Sequence, residues 1–293
     1  DEVEAQIKLG WQVNTCPVGA LVEVMDAVTE AEIEVQMKEY QSKYDLATDD
    51  IDTVRYQARE EIAIKKMLDT EGCKAFSNTF QDLYGMKQLP GLATQDLMSK
   101  GYGYGGEGDW KTAALTAIIK SMGEHSAFME DYTYDLKNGL SLGAHMLEVC
   151  PSLAADRPRI AVYPLGIGDR EAPARLVFNG KAGKATVSTI IDMGTRFRLI
   201  VQDVECVEPT QTMPNLPVAR VMWKAEPNLE VGAECWILAG GAHHTVLSYD
   251  VDADTLRDWA RIMGIEFVHI NRGSTPEQLA LDLNFSSMVW KNA

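Results

Sequence analysis

The fold is decided by the stretch RIAVY at residues 159–163 and by the short apolar runs that follow it. Glycines and prolines separate these runs at short intervals, a pattern typical of antiparallel strands in a barrel or a sandwich. The runs predicted as strands cover residues 159–163, 174–178, 184–188, 197–204, 235–238 and 265–270. We therefore predict an antiparallel, β-barrel-like domain for the second half of the chain.

The first half of the chain has a different pattern. Residues 51–68 place apolar side chains at helical spacing with charges between them, which predicts a helix. Thr29 and Glu32 have the spacing of a capping box, and Asp109 is a good N-cap for the apolar helix that follows it. Residues 7–13 alternate apolar and polar side chains, which favours a strand.

These patterns predict a chain of the α/β class with two parts. Residues 1–150 are expected to form a partial α/β, Rossmann-like domain, and residues 151–293 the β-rich, barrel-like domain. The length of 293 residues suffices for two domains, and a hydrophobic content of 46% suffices for a packed core. No apolar run approaches the roughly 20 residues that a membrane span needs.

The charge of the chain narrows the class of partner. A net charge of −16 repels phosphate backbones and anionic membrane surfaces, so we expect neither nucleic acid nor membrane as a partner. A neutral sugar would be indifferent to this charge, and a divalent cation would be attracted. The five cysteines are odd in number and lack CxxC spacing, which predicts reduced thiols in a cytoplasmic protein.

The glycine-rich sequence GYGYGGEGDW at residues 101–110 contains the pattern GxGxxG, at Gly101, Gly103 and Gly106. The residues before it do not end an apolar strand and no βαβ unit is evident around it, so we reject a dinucleotide site. We expect the glycines to form a tightly bent loop that places Glu107 at a functional site. An ordinary surface loop with an incidental acid is the alternative.

Two further residues lie in segments that could carry chemistry. Glu130 lies between aromatic and apolar neighbours, where partial desolvation would raise its pKa and suit it to proton transfer. The alternative is an acid that faces water at a strand end. His145 is surrounded by apolar residues, so it is either a core histidine with satisfied hydrogen bonds or a metal ligand.

The pair His243 and His244 follows an apolar run and two glycines. A histidine at a strand end is well placed to bind a metal, although a polar turn is the alternative. Adjacent residues of a strand point to opposite faces, so only one of the two is expected to enter a site. Ligation by two glutamates and two histidines would suit manganese, cobalt or iron, but the positions are too scattered to establish it.

The segments around these residues resemble the L-arabinose isomerase family. The resemblance runs over nearly the whole chain and is carried by GEGDWKTAAL at 106–115, SAFMEDYTY at 126–134, HMLEVCP at 145–151, AGGAHHT at 239–245, TFQDL at 79–83 and KQLPGLA at 87–93. Several long matching segments in the same order are far more specific than a single glycine motif. The resemblance implies an enzyme that converts L-arabinose to L-ribulose, and also D-galactose to D-tagatose, through a cis-enediol.

The resemblance also implies roles for particular residues. Glu107, Glu130, His145 and His244 would bind one Mn²⁺, with Co²⁺ or another divalent cation as an alternative. Glu107 and Glu130 would also move the proton between C1 and C2 of the open-chain sugar. Substrate contacts are expected from Phe80, Gln81 and His243.

One departure from the family pattern affects these expectations. Family members carry an N-terminal domain ahead of the region seen here, and this sequence begins partway through their middle domain. Members assemble as hexamers, so we expect a homo-oligomer, with weaker sugar binding or altered assembly if that domain is missing. The alternatives are a metal- or sugar-binding remnant without full activity, and an isomerase of another sugar such as fucose.

Overall fold

The α/β class is confirmed by the structure, a computed structural model that describes residues 1–290 apart from the side chain of Tyr132. The helices of this part are α1 (Glu2–Leu9), α2 (Val18–Asp26), α3 (Glu30–Lys43), α4 (Ile51–Glu71), α5 (Gly91–Ser99), α6 (Trp110–Met122), α7 (Leu229–Ala239), α8 (Ala253–Met263) and α9 (Pro276–Trp290), with a 3₁₀ turn at Pro151–Leu153. The strands are β1 (Asp45–Leu46), β2 (Ala75–Asn78), β3 (Gly103–Gly106), β4 (Ser126–Asp135), β5 (Leu140–Ala144), β6 (Arg159–Val162), β7 (Ala174–Val177), β8 (Gly183–Asp192), β9 (Phe197–Val207), β10 (Arg220–Ala225), β11 (His244–Ser248) and β12 (Glu266–Ile270).

The largest sheet has seven strands in the order β10-β5-β4-β11-β8-β9-β12, and its pairings are antiparallel except for β9 with β12. One edge of β9 is divided, since residues 198–202 pair with β12 and residues 204–207 pair with β10. The sheet therefore curls so that β10 pairs with both β5 and β9. The remaining part of the same β9 edge pairs with β12, which lies outside this curl. The prediction of a barrel is corrected to this curled, mostly antiparallel sheet.

The strands of the large sheet come from both sides of residue 150, because β4 and β5 pair with strands that follow it. A smaller three-stranded sheet joins β1, β6 and β7. The division into domains at residue 150 stays a prediction. The main hydrophobic core is continuous between the halves and includes Tyr40 and Leu92 as well as Phe128 and Trp223.

A parallel pair, β2 with β3, is joined through α5. The expectation that no βαβ unit surrounds the glycine motif is therefore wrong, although this two-stranded unit does not establish a Rossmann-like domain. Gly103 and Gly106 lie inside β3 and not in a loop. A Cβ atom at Gly103 would lie 2.3 Å from the carbonyl oxygen of Ala113 in α6, so this glycine allows the strand to press against the helix.

Two strand predictions are wrong. Residues 7–13 contain the end of α1, which closes at Gly10 in the left-handed conformation. Residues 235–238 belong to α7, which Asn228 caps at its start and Gly240 closes at its end. The periodicity of a short apolar run does not distinguish a buried strand from part of a helix. The capping residues at the two ends identify this run as helical.

The capping predictions are confirmed. Thr29 and Glu32 form a complete capping box at α3, and the side chain of Asp109 accepts a hydrogen bond from the backbone N–H of Thr112 at the start of α6. The helix predicted over residues 51–68 is α4. Among the helices of residues 1–290, none is both long and apolar enough to cross a membrane.

Candidate active site

The centre of the candidate site is a pair of neighbouring strands, β4 and β11. Glu130 and His244 are direct partners in their antiparallel register, which puts both side chains on one face of the sheet. The side chain of His244 is buried, with 6% of its surface exposed, and Glu130 is partly buried. Pairing of these strands therefore brings together two of the four predicted ligands from distant parts of the chain.

Glu107 reaches this centre from the bend that follows β3. Its φ angle is 60°, in the left-handed region that non-glycine residues rarely adopt, and Gly108 continues the bend at φ 81°. Such conformations persist only where the surroundings hold them, and they are common at functional sites. The Glu107 carboxylate lies 4.0 Å from Nε2 of His244, and the side chain is exposed.

His145 lies directly after β5, and its ring is held by a carboxylate. Nδ1 of His145 is hydrogen-bonded to Glu148, whose carboxylate also accepts the backbone N–H of Leu147 at 3.0 Å. Burial disfavours charge on His145, but the adjacent carboxylates outweigh that cost, and the pKa of His145 is raised. Because Glu148 occupies Nδ1, the nitrogen of His145 that remains for another partner is Nε2.

His244 is held in the same way by a different acid. Its Nδ1 lies 3.3 Å from the Asp109 carboxylate, and its buried Nε2 has no hydrogen-bond partner in the described part of the chain. Burial alone would raise the pKa of Asp109, but the hydrogen bonds from His244 and Thr112 lower it. The carboxylate that caps α6 therefore also orients the imidazole of β11.

An apolar floor supports both imidazoles. The Phe128 ring is fully buried and packs edge-on, with centroid separations of 5.0 Å to His145 and 5.2 Å to His244. Gly106 lies against the same rings, because a Cβ atom there would be 3.2 Å from Nε2 of His145. A side chain at position 106 would therefore press on the rings of His145 and Phe128.

The donor set fits a divalent cation. Imidazoles that ligate metals usually give their other ring nitrogen to a carboxylate or carbonyl, as His145 and His244 do here. Two imidazole nitrogens with two carboxylates suit manganese, cobalt or iron. The buried, unpartnered Nε2 of His244 is the observation that calls for such a partner.

His243 gives a result that sequence periodicity did not predict. β11 begins at His244, so strand alternation does not apply to His243, and the two rings lie 4.3 Å apart. The expectation that they point to opposite faces is therefore wrong. Ligand atoms of Glu107, His243 and His244 all lie within 4.8 Å of one another. His243 is exposed, which favours a role at the rim of the site.

A cavity of about 220 Å³ opens beside these residues, and Glu107, Glu130 and His145 line it. Phe80, Leu165 and Ile167 also line this cavity. Gln81 is exposed on the loop that carries Phe80. The lining of the cavity therefore combines acids and an imidazole with apolar side chains, and it includes the predicted substrate contact Phe80.

Sequence reasoning missed Glu148 and missed the second role of Asp109. The spacing of His145 and Glu148 was a visible signal, since side chains three residues apart can meet in a turn. The local sequence identifies Asp109 only as a helix cap. Its contact with His244 depends on the packing of α6 against β11, which no local pattern reveals.

Comparison with known proteins gives consistent matches along the chain. The sequence profile of the L-arabinose isomerase central domain matches residues 1–125, and that of the L-arabinose isomerase C-terminal domain matches residues 125–266. An L-arabinose isomerase of Clostridium beijerinckii is 55% identical over 99% of this chain and 60% of its own length. Similar proteins of the same name from Shouchella clausii and Geobacillus stearothermophilus are 52% and 49% identical over 97% and 99% of this chain. The chain covers 59% and 61% of their respective lengths, and so spans about three fifths of these relatives.

Proposed function

This chain belongs to the L-arabinose isomerase family, and we propose that it is a metal-dependent isomerase that converts L-arabinose to L-ribulose. The observation that carries the proposal is the pair of imidazoles held at Nδ1 by Glu148 and Asp109. Two further acids, Glu107 and Glu130, line the same cavity as His145, and Glu130 is the strand partner of His244. This arrangement has the donor atoms for a cation and the carboxylates for proton transfer.

Glu107, Glu130, His145 and His244 are the residues that would hold the cation, with Mn²⁺ proposed and Co²⁺ as the alternative. When bound, the cation would polarise the oxygens at C1 and C2 and lower the cost of charge that develops there. His145 is preferred over His243 because its Nδ1 is fixed by Glu148 and its side chain is mostly buried. His243 is proposed to contact the sugar at the rim.

The two acids are proposed to carry the protons. A carboxylate of the Glu107 and Glu130 pair takes the proton from C2 of the open-chain aldose, and the carbonyl oxygen at C1 gains a proton to give a cis-enediol. Return of a proton to C1 and loss of the O2 proton then give the ketose. Glu107 is exposed and Glu130 is partly buried, so one carboxylate is open to solvent and the other lies deeper beside the imidazoles.

The apolar wall of the cavity is proposed to orient the sugar. Phe80 would pack against the C–H groups of the sugar, and Gln81 on the same loop would reach its hydroxyls. D-Galactose, which shares the relevant hydroxyl stereochemistry, is a second proposed substrate. An isomerase of fucose is the alternative that a panel of sugars would test.

We also propose that the chain forms a homo-oligomer in the cytoplasm. Leu281 and Phe285 lie one turn apart on α9, and about two thirds of each side chain surface is exposed, at 64% and 66%. Apolar side chains aligned on one face of a helix favour contact with another protein surface. The cytoplasm is proposed from the cysteine pattern of the sequence.

Ketose formation from L-arabinose tests the proposal, measured on metal-stripped protein with and without added Mn²⁺. Ketose that depends on Mn²⁺ would establish the activity. A folded chain that binds Mn²⁺ but forms no ketose would support the alternative of a binding remnant, which is worth testing because the chain spans only part of its relatives. A folded chain that does not bind Mn²⁺, Co²⁺ or iron would refute both.

A further inference from the structure

We propose that Arg175 is a positioning residue, which ties the turn that carries His145 to the loop that carries Leu165 and Ile167, two segments that line the same cavity. The inference rests on the proposed function, because it concerns the same site. Arg175 lies on β7, and only 2% of its surface is exposed. It is among the largest fully buried side chains of the described residues.

The hydrogen bonds of Arg175 join two separate segments. Nη1 donates to the carbonyl oxygen of Met146 at 3.2 Å, and Nη2 donates to the carbonyl oxygen of Tyr163 at 2.6 Å. Met146 directly follows His145, and Tyr163 begins the loop that carries Leu165 and Ile167. One planar guanidinium therefore links two segments that line the cavity and fixes the distance between them.

The charge of Arg175 is unusual for such a buried position. Within residues 1–290, Arg175 forms no ion pair, since no carboxylate oxygen lies within 4.0 Å of its guanidinium nitrogens. Its buried Nε also has no hydrogen-bond partner there. Burial lowers the pKa of Arg175 to about 10, a shift that Glu148 opposes, so the side chain is cationic at neutral pH. A buried cation bonded only to carbonyl groups costs stability, and stability alone therefore does not explain it.

The position of this cation explains what it does. The turn at residues 145–148 contains His145 and Glu148, which are bonded to each other, and the Met146 carbonyl lies between them. That carbonyl belongs to the same peptide group as the Leu147 N–H, which donates to the Glu148 carboxylate that holds Nδ1 of His145. Rotation of this peptide group would therefore disturb the hydrogen bond that orients the His145 ring. Arg175 thus acts on the site through His145 and touches neither the sugar nor a ligand atom.

The experiment compares the variants Arg175→Met and Arg175→Lys with the unaltered chain. Arg196→Met is the matched control, because Arg196 is also buried but contacts Glu266, which keeps its bonds to Arg198. Two readouts are needed: amide hydrogen exchange of the metal-free protein, and Co²⁺ binding followed by its visible absorption spectrum. The exchange measurement does not depend on the metal.

Arg175→Met is expected to speed exchange at residues 145–148 and in the loop after Tyr163. It is also expected to weaken Co²⁺ binding by about 10- to 100-fold, the usual effect of losing an outer contact of a metal site. Arg175→Lys should recover part of both effects, and Arg196→Met should leave both segments and the cobalt spectrum unchanged.

Unchanged exchange in Arg175→Met would overturn the inference whatever the metal result. Faster exchange with unaltered Co²⁺ affinity and spectrum would also overturn it, since the contact would then be structural only. If the unaltered chain itself binds no Co²⁺, the proposed metal site fails, and exchange alone still decides whether Arg175 holds the two segments together.

Discussion

Glu130 and His244 lie directly opposite each other in the register of β4 and β11. Their side chains share one face of the sheet, and His244 is held there by Asp109 at 3.3 Å. The site is therefore fixed by strand pairing and by a helix cap together. A change in either should alter the site without altering the ligands themselves.

Asp109→Asn should separate the two roles of this residue. Asparagine caps helices as well as aspartate does, so the start of α6 and the melting temperature should change little. The neutral amide is a weaker acceptor for Nδ1 of His244, and Co²⁺ affinity should fall by about 10- to 100-fold. Titration of the metal-free protein with Co²⁺ measures this.

Asp252→Asn is the matched control, because Asp252 caps α8 through the N–H of Thr255 at 2.8 Å. It should leave Co²⁺ affinity unchanged. Equal affinity for the Asp109 variant and the unaltered chain would show that Asp109 acts only as a helix cap.

Gly106→Ala should disturb the site by adding a single carbon. The new Cβ would lie 3.2 Å from the His145 ring and 3.3 Å from Phe128, so the rings must shift. Overpacking of this kind costs about 1–3 kcal/mol in the free energy of unfolding. Urea unfolding should show that loss, and Co²⁺ binding should weaken with it.

Gly19→Ala controls for the substitution itself. A Cβ atom at Gly19 meets nothing within 4 Å, and the residue lies in α2. Alanine is the better helix former by about 1 kcal/mol, so this variant should be as stable as the unaltered chain or more so. Similar effects of the two variants would contradict the role assigned to Gly106.

The sequence predicted elements whose signals are local. The capping residues Thr29 and Asp109 and the helical spacing of residues 51–68 specified α3, α6 and α4. The run at residues 235–238 is part of a helix and not the predicted strand, because the residue that caps this helix, Asn228, lies several positions upstream of the run. The curl of the large sheet depends on how β9 divides one edge between two partners, which no single strand encodes.

The candidate site was predictable only in part, for a related reason. Each of Glu130, His145 and His244 has a local setting that fits a structural role as well as a functional one. The resemblance to a family, not the spacing, selected them. Glu148 and Arg175 were missed because their effects on His145 depend on a turn and on a buried strand.

Glu107→Gln should abolish ketose formation. The substitution removes a charged oxygen donor and a proton carrier while it keeps the size of the side chain. Isomerase assays at saturating Mn²⁺ should show no measurable turnover, and Co²⁺ binding should weaken. Glu124→Gln, an exposed acid in the turn before β4, should retain full activity. Turnover by the Glu107 variant would overturn the roles assigned to the two acids.

Glu60→Gln should make stability less sensitive to pH. Glu60 is fully buried in α4, Gln57 donates to one of its oxygens at 2.7 Å, and the other oxygen, Oε1, has no partner among the described residues. Burial raises its pKa well above the ordinary 4.5, so the folded chain keeps the proton that the unfolded chain loses. The stability that this group contributes is then present below about pH 4.5 and falls as pH rises toward the folded pKa, by at most about 1.4 kcal/mol per pH unit.

Glutamine cannot ionise, so the variant should not lose this stability. Its free energy of unfolding, measured in urea from pH 5 to 8, should increase relative to that of the unaltered chain as pH rises. Glu23→Gln, at an exposed position of α2, should run parallel to the unaltered chain. A constant difference between Glu60→Gln and the unaltered chain across this range would show that Glu60 does not hold its proton in the folded state.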